Sequence, residues 1–232
     1  MKKTVLFLMA LAMFTACKGL KVNYSSTNKT TTEEQRQLKG FERIQLMGSL
    51  DVRYLQADSF SVIVKGPAKA VRNVVTEVEK NTLKVNMKNG TSVIHWDDED
   101  VDDVTVYVTS PDFLGISLQG SGDFSCDRLL DTDNLDITLR GSGDIRFKDI
   151  ICDRVQVSLT GSGDVDVDQV ETQQADLELI GSGDIEMCFK NSGKVDAQLK
   201  GSGDITLKGY VRELNNRVRG SGDIDTDELL VR

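Results

Sequence analysis

Apolar and polar residues alternate along most of the chain, and the alternation itself repeats. The tetrapeptide Gly-Ser-Gly-Asp begins at Gly120, Gly141, Gly161, Gly181, Gly201 and Gly220. Four residues after each first glycine stand Phe124, Ile145, Val165, Ile185, Ile205 and Ile224, and six after it stand Cys126, Phe147, Val167, Met187, Leu207 and Thr226. Two before the next glycine are Leu139, Leu159, Leu179, Leu199 and Val218. Four before it are Ile137, Val157, Leu177, Ala197 and Asn216, and six before it Leu135, Val155, Ala175, Val195 and Leu214. Apolar columns two residues apart, with mostly polar residues between them, describe strands with one face inward and one outward. Each copy therefore reads as a short strand after the tetrapeptide and a second strand before the next.

The steps between copies are 21, 20, 20, 20 and 19 residues. Such a period is too short for a helix-pair repeat, and a leucine-rich repeat would place its asparagine and leucines differently. Equal columns are satisfied when the chain coils so that each column stacks on itself. Residues 120–232 are thus expected to form an all-β parallel β-helix, with about 20 residues per rung and rungs about 4.8 Å apart.

Residues 41–119 carry a degenerate form of the pattern and are expected to be continuous with the solenoid. Ile44 and Leu46 precede Gly48-Ser49-Leu50-Asp51, and Val52 and Tyr54 follow it. Phe60, Val62 and Val64, then Leu83, Val85 and Met87, then Val104, Val106 and Val108 form further alternating strands closed by turn residues. One short helix is expected from Pro67, with Val71, Val74, Val75 and Val78 on its apolar face. Placed at an open end of the solenoid, it would cover exposed strand edges.

Residues 1–16 are a basic start followed by a short apolar run, too short to span a bilayer and suited to a secretory signal. The run ends in Phe14-Thr15-Ala16-Cys17, which resembles a bacterial lipobox with Cys17 as the lipidated residue. An ordinary signal peptide with a chance cysteine is the alternative. Residues 17–40 are rich in Ser, Thr, Asn and Lys and lack apolar periodicity, so they read as a lipidated cysteine and a flexible tether. Lys18-Gly19-Leu20-Lys21 lacks the acidic residues found there in some surface-exported lipoproteins. Periplasmic and surface faces of the outer membrane both stay open.

The formal net charge of −9 excludes a broad cationic footprint for nucleic acid. A single histidine, His95, removes Ser-His-Asp and multi-His metal chemistry. His95-Trp96 reads as packing at a strand end, and Asp97–Asp103 as a solvated acidic loop. That loop lacks the glycine and terminal glutamate of an EF-hand. Cys126, Cys152 and Cys188 are odd in number and lack zinc-site spacing. They read as buried small hydrophobes, with one disulfide as the alternative.

Stacking the repeats places Asp123, Asp144, Asp164, Asp184, Asp204 and Asp223 in one ladder. Each neighbouring pair of charges costs roughly 0.9 kcal/mol in water, and a charge-assisted hydrogen bond of about 1.5–3 kcal/mol outweighs it. The carboxylates are therefore read as turn acceptors that need no metal. Calcium between rungs is the sharper alternative. Calcium-roll repeats, however, present an aspartate on every half-turn with a much shorter period. No cofactor is expected.

The lipoprotein start, the short helix before Leu83-Lys84-Val85 and the serial Gly-Ser-Gly-Asp-Ile copies resemble one family, the bacterial putative auto-transporter adhesin head domains. The resemblance covers about residues 41–226. It implies a right-handed β-helix outside the cytoplasm and brings no catalytic residues with it. The expected function is a non-enzymatic, lipid-anchored envelope protein that presents a β-helical surface to a glycan or an envelope protein. A structural or stress-related module contacting membrane proteins is the alternative. A polysaccharide-degrading enzyme fits worse, because steps of 19–21 residues leave no room for the long loops that wall a cleft.

Overall fold

The computed structural model describes residues 31–88 and 104–232. The described chain opens with strands β1 (Thr31–Arg36), β2 (Arg43–Gly48), β3 (Asp51–Gln56) and β4 (Ser61–Pro67), then helix α1 (Ala68–Val71). Strands β5 (Val74–Glu79), β6 (Thr82–Met87), β7 (Thr105–Ser110) and β8 (Gly115–Gly120) follow. The regular part contains β9 (Phe124–Asp131), β10 (Asn134–Gly141), β11 (Ile145–Gly161), β12 (Val165–Gly181), β13 (Ile185–Gly201) and β14 (Ile205–Gly220). Two short strands, β15 (Ile224–Asp225) and β16 (Leu229–Val231), end it.

Each long strand pairs in parallel with the strand one period on: Ile145 with Val165, Val165 with Ile185, Ile185 with Ile205, Ile205 with Ile224. A strand that pairs with its own continuation must make a full circuit in between. The result is a β-solenoid of about six turns with about 20 residues each. The apolar columns stack along its inside, and Leu139, Leu159, Leu179 and Leu199 are all fully buried. Near the N-terminal end the filling is aromatic: Tyr54 stacks on Phe113 at 4.2 Å, and Phe113 on Phe124 at 5.9 Å.

Each rung has three inward segments rather than two. In β11 they are Ile145 and Phe147, then Ile150 and Cys152, then Val155, Val157 and Leu159. Two adjacent outward residues, Lys148-Asp149 and Asp153-Arg154, interrupt the alternation and mark corners. The tetrapeptide is the third corner. The middle segment contains two buried hydroxyls, Thr172 and Ser192, where the strand ladder shifts register. Thr172 Oγ1 donates toward the carbonyls of Asp153 and Gln174, 3.1 and 3.0 Å away. Ser192 Oγ bonds the Val170 carbonyl at 3.1 Å and accepts from the Thr172 amide at 3.2 Å. Side chains thus satisfy backbone groups that the ladder leaves over at this corner.

The degenerate N-terminal copy lies in register beneath the first regular one, with Gly48 paired to Gly120. Beyond it the stacking changes sense: β4 runs antiparallel to β7 and β1, and β5 antiparallel to β6. Two sequence expectations are corrected here. The helix stops at Val71, and Val74, Val75 and Val78 belong to β5. Crowded β-branched side chains gain little in a helix once an edge strand is available to pair with. The expected tether does not extend to residue 40, because Thr31–Arg36 form a strand on β4. That strand needs no apolar period: its backbone pairs with an edge, and Glu33 meets Lys65 at 2.6 Å. The N-terminal end is therefore closed by antiparallel strands, while α1 packs beside β4 and β1.

Candidate binding surface

The tetrapeptide corner is built by close approach. Gly161 has φ +141°, and a Cβ there would lie 2.1 Å from the Gly141 carbonyl oxygen. At Gly163 a Cβ would lie 2.0 Å from the Gly143 carbonyl oxygen. Only glycine lets successive backbones sit one strand spacing apart at both positions.

The same corner holds the aspartates in one column. The amide of each donates to Oδ1 of the aspartate one rung earlier, from Asp144 on Asp123 (3.1 Å) and Asp164 on Asp144 (3.3 Å) to Asp184 on Asp164 (3.0 Å). Asp204 on Asp184 and Asp223 on Asp204 are both at 2.9 Å. Asp51 is a seventh member, accepting from the Asp123 amide at 3.2 Å. Burial pushes the Asp144 carboxyl above the usual aspartate range, the Asp164 amide pulls it back, and the charges of Asp123 and Asp164 push it up again. Among the described residues no group of three or more His, Cys, Asp or Glu side chains is arranged to hold a metal ion.

Asp164→Ala with Asp184→Ala removes two acceptors and is expected to cost about 1–3 kcal/mol per site in thermal melts, to the extent that the amides are shielded from water. Asp164→Asn with Asp184→Asn keeps an acceptor oxygen and should change stability only modestly. Asp144→Asn should be neutral or slightly stabilising at pH 7. A carboxyl raised in the folded state favours folding most below its unfolded pKa and loses that contribution as pH climbs through its folded pKa. A calcium-specific rise of many degrees in melting temperature, abolished by the asparagine pair, would show that the aspartates bridge rungs through metal.

Cys126 and Cys152 are buried and Cys188 half-buried, and all three are free thiols. Burial pushes Cys126 up to about 11 and raises Cys152 as well, so neither thiol is poised as a nucleophile. Cys17, His95-Trp96 and the acidic run Asp97–Asp103 lie outside the described residues.

The flat outer faces largely satisfy themselves. Arg146 meets Asp166 at 2.9 Å, Arg154 meets Asp176 at 2.6 Å, Lys200 meets Glu178 at 2.7 Å and Lys208 meets Glu186 at 2.6 Å, each pair bridging neighbouring rungs. The corner after the first segment differs. Here Asp127-Arg128, Lys148-Asp149 and Asp168-Gln169 line up across three rungs and, with Leu55 and Gln56, enclose a groove of about 590 Å³. Leu129 lies in it, 46% exposed. Gln56 fixes one wall, donating to the carbonyls of Pro111 and Asp131 and accepting from the Asp131 amide, all at 2.9 Å. The side chains of Arg128, Lys148 and Asp149 form no ion pair with another described residue. The groove thus offers charges of both signs around an apolar floor and runs along the solenoid axis. Its sequence signal is two adjacent polar residues where alternation calls for one, at Asp127-Arg128, Lys148-Asp149 and Asp168-Gln169; in the next rung Cys188 alone separates the inward Met187 and Phe189. Counting only the inward columns passes over it.

No curated protein matches the chain. Solved structures do. A putative adhesin from Bacteroides fragilis is 25% identical with a TM-score of 0.71, over 85% of this chain and 97% of that one. A protein from Parabacteroides distasonis described as a putative lipid binding protein is 24% identical with a TM-score of 0.58, over 85% and 97%. A putative adhesin from Parabacteroides merdae, at 17% identity and a TM-score of 0.53 over 85% and 96%, shares the fold. The family model described as "Putative auto-transporter adhesin, head GIN domain" matches residues 40–187 and again 157–232. With both spans carrying the stacked tetrapeptide corner, the chain belongs to that family of adhesin head domains.

Proposed function

We propose that the protein is a non-enzymatic cell-envelope lipoprotein, held to the outer membrane by acyl chains on Cys17, whose first-corner groove receives an extended glycan or protein ligand. The observation that carries the reading is the groove itself. It is open, it spans three rungs, and charged side chains from successive rungs surround the exposed Leu129. Such a surface suits a ligand that is itself extended. Adhesin descriptions of the family and of the Bacteroides fragilis neighbour support the same class of role. Thiols pushed up by burial are not poised as nucleophiles, which fits a role without catalysis. No helix among the described residues is long and apolar enough to cross a membrane, so membrane attachment in this reading depends on Cys17.

Cys17→Ser tests the anchor. The variant is expected in the soluble envelope fraction, and continued pelleting with membranes after a carbonate wash would rule out lipid at Cys17 as the anchor. The same soluble chain serves for binding screens against cell-wall glycans, host glycans and envelope extract. Any ligand found should be lost with Leu129→Asp and weakened by Lys148→Glu, both at exposed positions where the fold is expected to survive. Binding indifferent to both changes would move the site off the groove.

A further inference from the structure

The last full rung is covered on two sides and bare on the third. β15 pairs with Ile205 and Thr206 of β14, and β16 with Gly209–Val211, but no described strand pairs with the outer edge of residues 213–220. The inner edge of that stretch is fully in register with β13, from Lys194–Glu213 to Gly201–Gly220. Its inward side chains are Leu214, Asn216 and Val218, the last members of columns that are buried one rung earlier as Val195, Ala197 and Leu199. Val218 is 41% exposed where Leu199 is fully buried. A free edge of eight residues whose inward side chains include Leu214 and Val218 is a template for another strand.

The sequence of this edge is complementary to itself. When two copies of Glu213–Gly220 run antiparallel about Asn216, Leu214 falls opposite Val218, Glu213 opposite Arg219, and Asn215 opposite Arg217. The Leu214–Val218 pairs lie on the inward face around Asn216, and the Glu213–Arg219 ion pairs and Asn215–Arg217 pairs on the outward face, each matched twice by symmetry. We infer that the bare edge of β14 is a dimer interface, at which a second copy of this chain pairs β14 to β14 about a two-fold axis through Asn216. Cross-strand pairs of this kind are what stabilise antiparallel sheet edges, and an isologous contact closes on itself as a dimer. Because β15 and β16 rise one strand beyond β14 on the other sides, the two solenoids meet at an angle and not coaxially. The competing arrangement docks this edge on β5 of another copy, whose exposed Glu77 and Glu79 also oppose arginines. That contact is heterologous and would give open-ended polymers.

The test uses the full chain carrying Cys17→Ser, so that acyl chains do not drive association, studied by sedimentation. The wild-type edge is expected to give a concentration-dependent dimer. Glu213→Arg alone places arginines opposite Arg219, and Arg219→Glu alone places glutamates opposite Glu213, so each should sediment as a monomer and melt like the wild type at dilutions where the wild type is itself monomeric. The double variant restores both pairs and should dimerise again, and an equimolar mixture of the two single variants should form the heterodimer. A wild-type chain monomeric at all concentrations, open-ended polymers, or a dimer indifferent to both single changes would overturn the inference. So would failure of the double variant to recover.

Discussion

Gly163→Ala is expected to destabilise the solenoid by about 3 kcal/mol or more, as an overpacking that no rotamer change can relieve. The added Cβ would sit 2.0 Å from the Gly143 carbonyl oxygen and 3.0 Å from backbone atoms of Ser142 and Gly143. All of these are backbone atoms fixed by pairing on both sides, so the rungs must separate at that corner. Separation breaks neighbouring backbone hydrogen bonds, including the one that Gly163 N–H donates to the Gly141 carbonyl at 3.2 Å. Gly48→Ala is the control. Gly48 has φ +103° and nothing within 4 Å of an added Cβ, so only conformational strain of about 1–2 kcal/mol applies. Denaturant melts of the two variants separate steric stacking from backbone preference. Equal losses would mean that the corner spacing is slack.

Ile185→Asp is the second large effect. Ile185 is fully buried, in register between Val165 and Ile205. A carboxylate there has no partner, and the expected loss is about 4 kcal/mol or more at neutral pH. The sign of its pH dependence follows from linkage: burial raises the carboxyl's folded pKa, so the loss shrinks as pH falls and the acid protonates. Glu186, next along the strand, points outward and meets Lys208 at 2.6 Å. Glu186→Lys should change the melt little, because exposed pairs of this kind contribute little. A neutral Ile185→Asp would refute the inward register of the whole column.

The period was legible because coiling places identical positions on top of one another, and the columns from Phe124 to Ile224 and from Leu139 to Val218 carry that in plain residue types. The middle segment was harder to see. Its inward column passes from Leu130, Ile150 and Val170 to Phe189 with a one-residue shift, and the next column contains Thr172 and Ser192. Buried hydroxyls that serve the backbone look like surface residues in a hydropathy pattern. The spacing of Val71, Val74, Val75 and Val78 suits a helix face, yet pairing with β6 decided the conformation, which is a tertiary fact. Likewise nothing in Thr31–Arg36 announces a strand until the edge of β4 is known. The groove is a property of corners, and corners are where alternation fails. The aspartate ladder was read from the tetrapeptide, but its seventh member, Asp51, follows leucine where the other copies have glycine.

In the six tetrapeptide copies each aspartate amide points toward the preceding carboxylate, and each glycine rests on the carbonyl of the rung before. Each contact thus refers only to the rung before it. A rung can be duplicated or lost, from one tetrapeptide to the next, without changing the contacts this corner makes, since each copy presents the same glycines and aspartate. Length is therefore the quantity this architecture leaves free to vary in evolution, in increments of about 4.8 Å. A descendant gene could encode a longer or a shorter solenoid built on the same corner.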